Sequence, residues 1–188
     1  MTVYEYCLEL LRLNQGRLNS FRDPWWFASV TAGLVEECLE LFLKLESSTD
    51  NATDVVLECG DVLAYTVLVL ASLRRDSATG LEALARDVAN ILEPYSEGRY
   101  DLSQHTSFVE IPLQTIGDVK RWFRERSLLQ PLEVAQVFNA SLTLLNIHLN
   151  SKMQLPSVNF AYVSSQNHAK LVGRVERQTL FVGSGDNR

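Results

Sequence analysis

Glu37 and Glu40 in GLVEECLELFLKL, and Glu58 and Asp61 in VVLECGDVLAYTVLVL, are acid pairs set in stretches that otherwise carry almost no charge. Each pair is spaced i, i+3, so on a helix both carboxylates project from one face, flanked by apolar side chains. Between Trp25 and Leu43 the only charges are Glu36, Glu37 and Glu40, and between Val55 and Leu73 only Glu58 and Asp61. A solvated stripe would have polar residues around it, and buried acids lacking a cation are destabilising or become protonated. The pattern therefore predicts a bound cation.

The midpoint between the pairs falls at Thr49, inside the polar stretch Glu46 to Asn51. With a turn there, two antiparallel helices bring all four carboxylates to one level, roughly 15 Å from the turn at about 1.5 Å of rise per residue. Oxygen-only ligation suits Mg²⁺, or Mn²⁺ as a substitute, rather than zinc, and Mg²⁺ held this way completes its shell with water and substrate phosphates. Phosphate chemistry is the expectation. Cys38 and Cys59 are symmetric about the same turn, so thiolate ligation of a softer metal is an alternative. Each neighbours a carboxylate in sequence, however, and so points off the acidic face.

The elements that must position these acids follow from periodicity. Val3 to Leu18 has apolar residues near a 3.6 period and predicts an amphipathic helix. Asp23-Pro24 predicts the start of a helix running through Trp25 to Leu45. Asn51, with Asp54 three residues on, predicts an N-cap for a helix continuing to about Arg75. Further helices are expected over Thr79 to Leu92, Ile116 to Leu129, Pro131 to about Asn150 and Ser157 to about Gln178, with a loop over Glu93 to Pro112. No strand pattern of convincing length occurs, so the fold class is all-α: a helical bundle around an antiparallel acidic helix pair. Trp25, Trp26 and Phe27 offer either a base-stacking surface or part of the core.

Composition bounds the function. The 188 residues, 46% hydrophobic and 21% charged, suit one soluble globular domain. A net charge of −6 argues against nonspecific nucleic-acid binding and against adhesion to anionic membranes. Val55 to Leu73 approaches the length of a membrane span, but Glu58, Gly60 and Asp61 in its first half favour a buried core helix. The first residues do not read as a signal peptide, and three cysteines without a CxxC read as reduced core residues, so a cytoplasmic protein is expected. No Ser/His/Asp or Cys/His arrangement is recognisable, and His105, His148 and His168 lack metal-ligand spacing.

A second constellation lies towards the other end. Asn167, Lys170, Arg174 and Arg177 follow steps of three, four and three, and so line one face of the last helix. Either they neutralise phosphates there, or they are a solvated basic stripe that complements the helix dipole.

Together the two constellations resemble a known family. Glu36-Glu37-x-x-Glu40, seventeen residues, then Glu58-x-x-Asp61, is similar to the EExxE and ExxD signature of the MazG-like nucleoside triphosphate pyrophosphohydrolases of the all-α NTP pyrophosphatase superfamily. N-x-x-K-L-x-x-R-x-x-R, followed by G-S-G-D-N-R, resembles the ending common in its short members. The similar parts are Trp25 to Arg75 and Leu155 to Arg188; between them lies an insertion, about 76–154, with no counterpart in the short members.

The resemblance implies that Glu37, Glu40, Glu58 and Asp61 bind Mg²⁺, with Glu36 as an outer ligand or water-orienting base. It further implies that Lys44, Lys170, Arg174, Arg177 and Arg188 neutralise a triphosphate, and that Asn167 bonds the sugar or base. The implied reaction is attack of water at the α-phosphate of a (deoxy)nucleoside triphosphate, releasing monophosphate and pyrophosphate. Assembly as a homo-oligomer, dimer or tetramer, is implied as well. The alternatives are a dUTP or dCTP diphosphatase of the same superfamily, and a non-catalytic helical module that binds nucleotides or other partners.

Overall fold

The computed structural model describes residues 1–47, 51–76, 79–101 and 131–177. Among them the chain forms six α-helices and two short 3₁₀ segments, and no strand. The helices are α1 (Val3–Leu13), α2 (Pro24–Glu46), α3 (Ala52–Arg74), α4 (Leu81–Leu92), α5 (Pro131–Ser151) and α6 (Phe160–Glu176). They pack as a bundle, so the all-α expectation holds.

Local chemistry sets the helix starts. Thr2 caps α1 in a capping box: its hydroxyl accepts from the Glu5 amide at 3.2 Å while the Glu5 carboxylate accepts from the Thr2 amide at 2.8 Å. Asp23 accepts from the Trp25 amide at 2.9 Å, with Pro24 in the first turn of α2. Asn51 accepts from the Asp54 amide at 2.9 Å and opens α3. The α2 and α3 bounds therefore fall where the sequence predicts them.

α1 is shorter than its apolar pattern suggests. It ends at Leu13, where the Asn14 side chain donates to the Leu10 carbonyl at 2.9 Å, and a 3₁₀ segment, Gln15–Arg22, follows. Asn14 and Gly16 are poor helix residues, and Asn14 to Arg17 carry no apolar side chain to continue the buried stripe. α4 begins after Gly80 rather than at Thr79, and α6 begins after Asn159, whose side chain accepts from the Tyr162 amide at 3.0 Å. The expected helix Ile116 to Leu129 and the tail with Arg188 lie outside the described residues.

α3 is the hub, touching each of the other five helices. Fifteen of its 23 residues are buried, as a helix apolar on nearly all sides requires. It is long and apolar enough to cross a membrane, but here its surface is covered by neighbouring helices. α2 packs antiparallel to it, and α5 and α6 cover other faces. Of the segment expected as an insertion, the described helices join the bundle: α4 contributes Leu84, Val88 and Leu92, and α5 contributes Phe138, Leu142 and Leu145, to the same apolar core as α1, α2, α3 and α6. The Asn146 side chain secures the strap between α5 and α6, donating to the Val158 carbonyl at 3.0 Å and accepting from its amide at 2.7 Å.

Candidate metal centre

The α2–α3 pairing brings three acids together. Ligand oxygens of Glu37, Glu40 and Glu58 lie within 4.8 Å of one another. Glu58 is 4% exposed, while Glu37 and Glu40 are half-buried. Glu58 Oε1 accepts from Lys44 Nζ at 2.6 Å, a bond that spans the two helices. The second oxygen of Glu58 and one oxygen of Glu37, Oε2 in each case, are buried with no hydrogen-bond donor.

Buried carboxylate oxygens lacking donors are unstable features in an apolar bundle. Their effect is plain at Glu37, whose pKa is raised from 4.5 to about 8, first by burial and then by the charges of Asp61, Glu58 and Glu40, with Lys170 opposing. A hard divalent cation supplies what these oxygens lack, so the residues present fit the Mg²⁺ expected from sequence.

Asp61 belongs to the same electrostatic unit but faces a different neighbour. It is 7% exposed and one turn beyond Glu58 on α3. Its Oδ1 accepts from Asn167 Nδ2 at 2.8 Å and its Oδ2 is in close contact with Lys170 Nζ, both from α6. Burial raises the Asp61 pKa, with Lys170 pulling the other way and Glu58 adding to the rise. Of the four acids expected to form a cage, three therefore converge and the fourth is turned towards the basic helix.

The remaining expected residues are distributed as follows. Glu36 is solvent-exposed on α2, and the carboxylate cluster does not include it. Lys44 and Lys170 each hold one of the acids. Arg174 is half-buried on the Asp61 side, and its charge favours the ionised form of Asp61. Arg177, at the end of α6, is exposed. Asn167 differs from expectation: it is fully buried, accepting from the Tyr6 hydroxyl at 2.7 Å and donating to Asp61, so it orients an acid within the protein fabric. Arg188 lies outside the described residues.

Three residues at the site carry no motif. Tyr6 reaches it from α1, and burial together with the charge of Asp61 raises its pKa well above the ordinary phenol value, so it remains a donor. Tyr65, one turn beyond Asp61, lies across α2 at Gly33, where an added β-carbon would run into its ring. Its phenol is raised by burial and then by Glu37, Asp61 and Glu36. Gly60 lets α6 approach α3, since a β-carbon there would lie 2.7 Å from the Asn167 Cβ. An unpaired tyrosine in an apolar stripe and glycines inside helical runs were the available signals, and each is ambiguous without the partner helix.

The aromatic cluster divides. Phe27 is core, Trp26 stacks on Phe21 with ring centroids 5.5 Å apart, and Trp25 is 82% exposed. Cys7, Cys38 and Cys59 are buried free thiols, Cys38 is pushed up to about 12, chiefly by burial, and none of the three belongs to the carboxylate cluster. Comparison with protein-family models, with curated proteins and with solved structures finds no match.

Proposed function

We propose that the protein is a divalent-cation-dependent hydrolase of nucleoside triphosphates, producing monophosphate and pyrophosphate. The observation that carries the reading is the set of three facing carboxylates, two of which hold a buried oxygen with no protein donor, beside cationic side chains from a separate helix. Sites that handle phosphate esters need this combination, acids for the cation and Lys or Arg for the substrate charge. The EExxE and ExxD resemblance supports the choice of the α-phosphate as the point of attack.

In this reading Glu37, Glu40 and Glu58 hold Mg²⁺, and Asp61 adds its charge from the α6 side. When bound, the cation supplies Lewis acidity at the phosphate and neutralises developing negative charge. Lys170 and Arg174 stand where a polyanion approaching the acids would meet compensating charge. Lys44 supplies the protein's own positive charge to Glu58 in the buried part of the site. Tyr65 stands half-buried with its ring against Gly33 of α2, near enough to Glu37 and Asp61 for their charges to add to the rise that burial gives its pKa.

The test is to incubate the protein with a panel of NTPs and dNTPs, with Mg²⁺ or with EDTA, and to separate the products by ion exchange. Monophosphate with pyrophosphate, abolished by EDTA, is the expected result, and the panel reports base preference directly. Diphosphate with phosphate would move the cut to the γ position and remove the basis of the reading. No turnover of any nucleotide would leave a non-catalytic helical module as the better description.

A further inference from the structure

The buried polar chain that starts on α1 has a fixed direction. A carboxylate can only accept, so Asn167 must turn its Nδ2 towards Asp61, which leaves Oδ1 facing the Tyr6 hydroxyl, and that hydroxyl must donate. Tyr6 and Asn167 are each 0% exposed, so no solvent competes at either link. The Tyr6 ring is itself held edge-on to Phe160 of α6, centroids 5.9 Å apart and planes at 88°. Gly60, next to Asp61, provides the space that brings the amide within reach.

We infer that Tyr6 is a positioning residue for the acidic site: acting through Asn167, it fixes the plane of the Asp61 carboxylate. This rests on the proposed metal-dependent function. An Asp61 held by two donors, one neutral and oriented from α1, one cationic from α6, presents its remaining lone pairs in a single direction. Outer hydrogen bonds steady the groups around a metal site, and losing one at a direct ligand weakens metal affinity roughly 10- to 100-fold. Asp61 stands beside the three converging acids and acts on the site through its charge, so the effect here is at most the lower end of that range. Removing the Tyr6 hydroxyl leaves the ring packed but frees the Asn167 amide to rotate, and Asp61 loses its defined orientation.

The inference is tested by metal binding alone, with no nucleotide present. Mn²⁺ binding to the full chain is measured by titration calorimetry for wild type, Tyr6→Phe, Asn167→Ala, the double variant, and Val3→Ala as a buried α1 control outside the chain of hydrogen bonds. Expected are a loss of affinity of a few-fold, at most about 10-fold, for Tyr6→Phe, no change for Val3→Ala, and no further loss when Tyr6→Phe is added to Asn167→Ala. Wild-type affinity in Tyr6→Phe, or an equal loss in Val3→Ala, overturns the positioning role while the metal site stands. If Tyr6→Phe does not fold, Asn167→Ala carries the same test, since unchanged affinity there breaks the relay at its middle link. Absence of Mn²⁺ binding by the wild type overturns both the inference and the function on which it rests.

Discussion

Lys44 of α2 reaches Glu58 of α3 with 2.6 Å between Nζ and Oε1, and it is the only protein donor to a carboxylate that is 4% exposed among the described residues. The lysine is thus both a strut between the two acidic helices and a stand-in for positive charge at the site.

This pair makes the first prediction. Lys44→Met leaves Glu58 buried with no partner, and breaking a buried pair costs about 3–5 kcal/mol. Because the Lys44 side chain retains a quarter of its exposure, about 2 kcal/mol is expected without metal. Saturating Mg²⁺ should recover part of it, so the variant should show a larger Mg²⁺-induced rise in Tm than wild type. An equal or smaller rise would mean that the cation does not reach Glu58.

A second prediction concerns pH. Glu37 titrates at about 8 in the folded protein against an ordinary 4.5, so the folded state holds this proton more tightly than the unfolded chain. The contribution of this residue to metal-free stability is therefore unaffected below about pH 4.5, declines as pH rises through the window from 4.5 to about 8, and levels off above it. Glu37→Gln should abolish that decline and be more stable than wild type in EDTA at about pH 9, with little difference at about pH 4. Urea unfolding at several pH values reads this directly, and parallel stability curves for the two proteins would count against it. The same variant should lose most of its Mg²⁺-induced stabilisation.

The two interhelical glycines should behave differently. At Gly60 the obstacle to a β-carbon is the Asn167 Cβ, 2.7 Å away and fixed by the α6 backbone. Gly60→Ala should cost about 1–3 kcal/mol through overpacking, more than the gain of about 1 kcal/mol in helix propensity. At Gly33 the obstacle is the far end of the half-buried Tyr65 ring, which can swing aside. Gly33→Ala should change stability by less than about 1 kcal/mol while altering turnover through Tyr65. Thermal unfolding and steady-state kinetics on both variants separate the cases; equal losses of stability would refute the assigned contacts.

Thiol chemistry supplies a fourth outcome. Cys7, Cys38 and Cys59 are buried, and burial raises the pKa of each. A thiol-disulfide reagent at neutral pH should label none of them in the native protein and all three after denaturation, with or without Mg²⁺. Labelling in the native state that Mg²⁺ suppresses would instead place a thiol at the metal.

The sequence alone determined the helices that matter here and the pairing of two of them. Asp23-Pro24 and Asn51 are strong local caps, and acids spaced three apart in apolar runs share a helix face whatever surrounds them, so Glu37, Glu40 and Glu58 could be brought together by counting outward from the turn. The all-α class followed from the same periodicity. What only the tertiary structure decided is where each acid finds its partner. Asp61 shares its face with Glu58, yet both its oxygens are taken by Asn167 and Lys170, because α6 packs close against Gly60. Asn167 reads as a surface residue on a basic stripe until α1 and α3 enclose it and Tyr6 binds its carbonyl. The place of α4 and α5 in the core was likewise undetermined, because an amphipathic pattern states that a face must be buried and does not state against what. Short-range hydrogen bonds and side-chain period are written locally, whereas burial and charge pairing depend on contacts more than a hundred residues apart, such as Asp61 with Lys170.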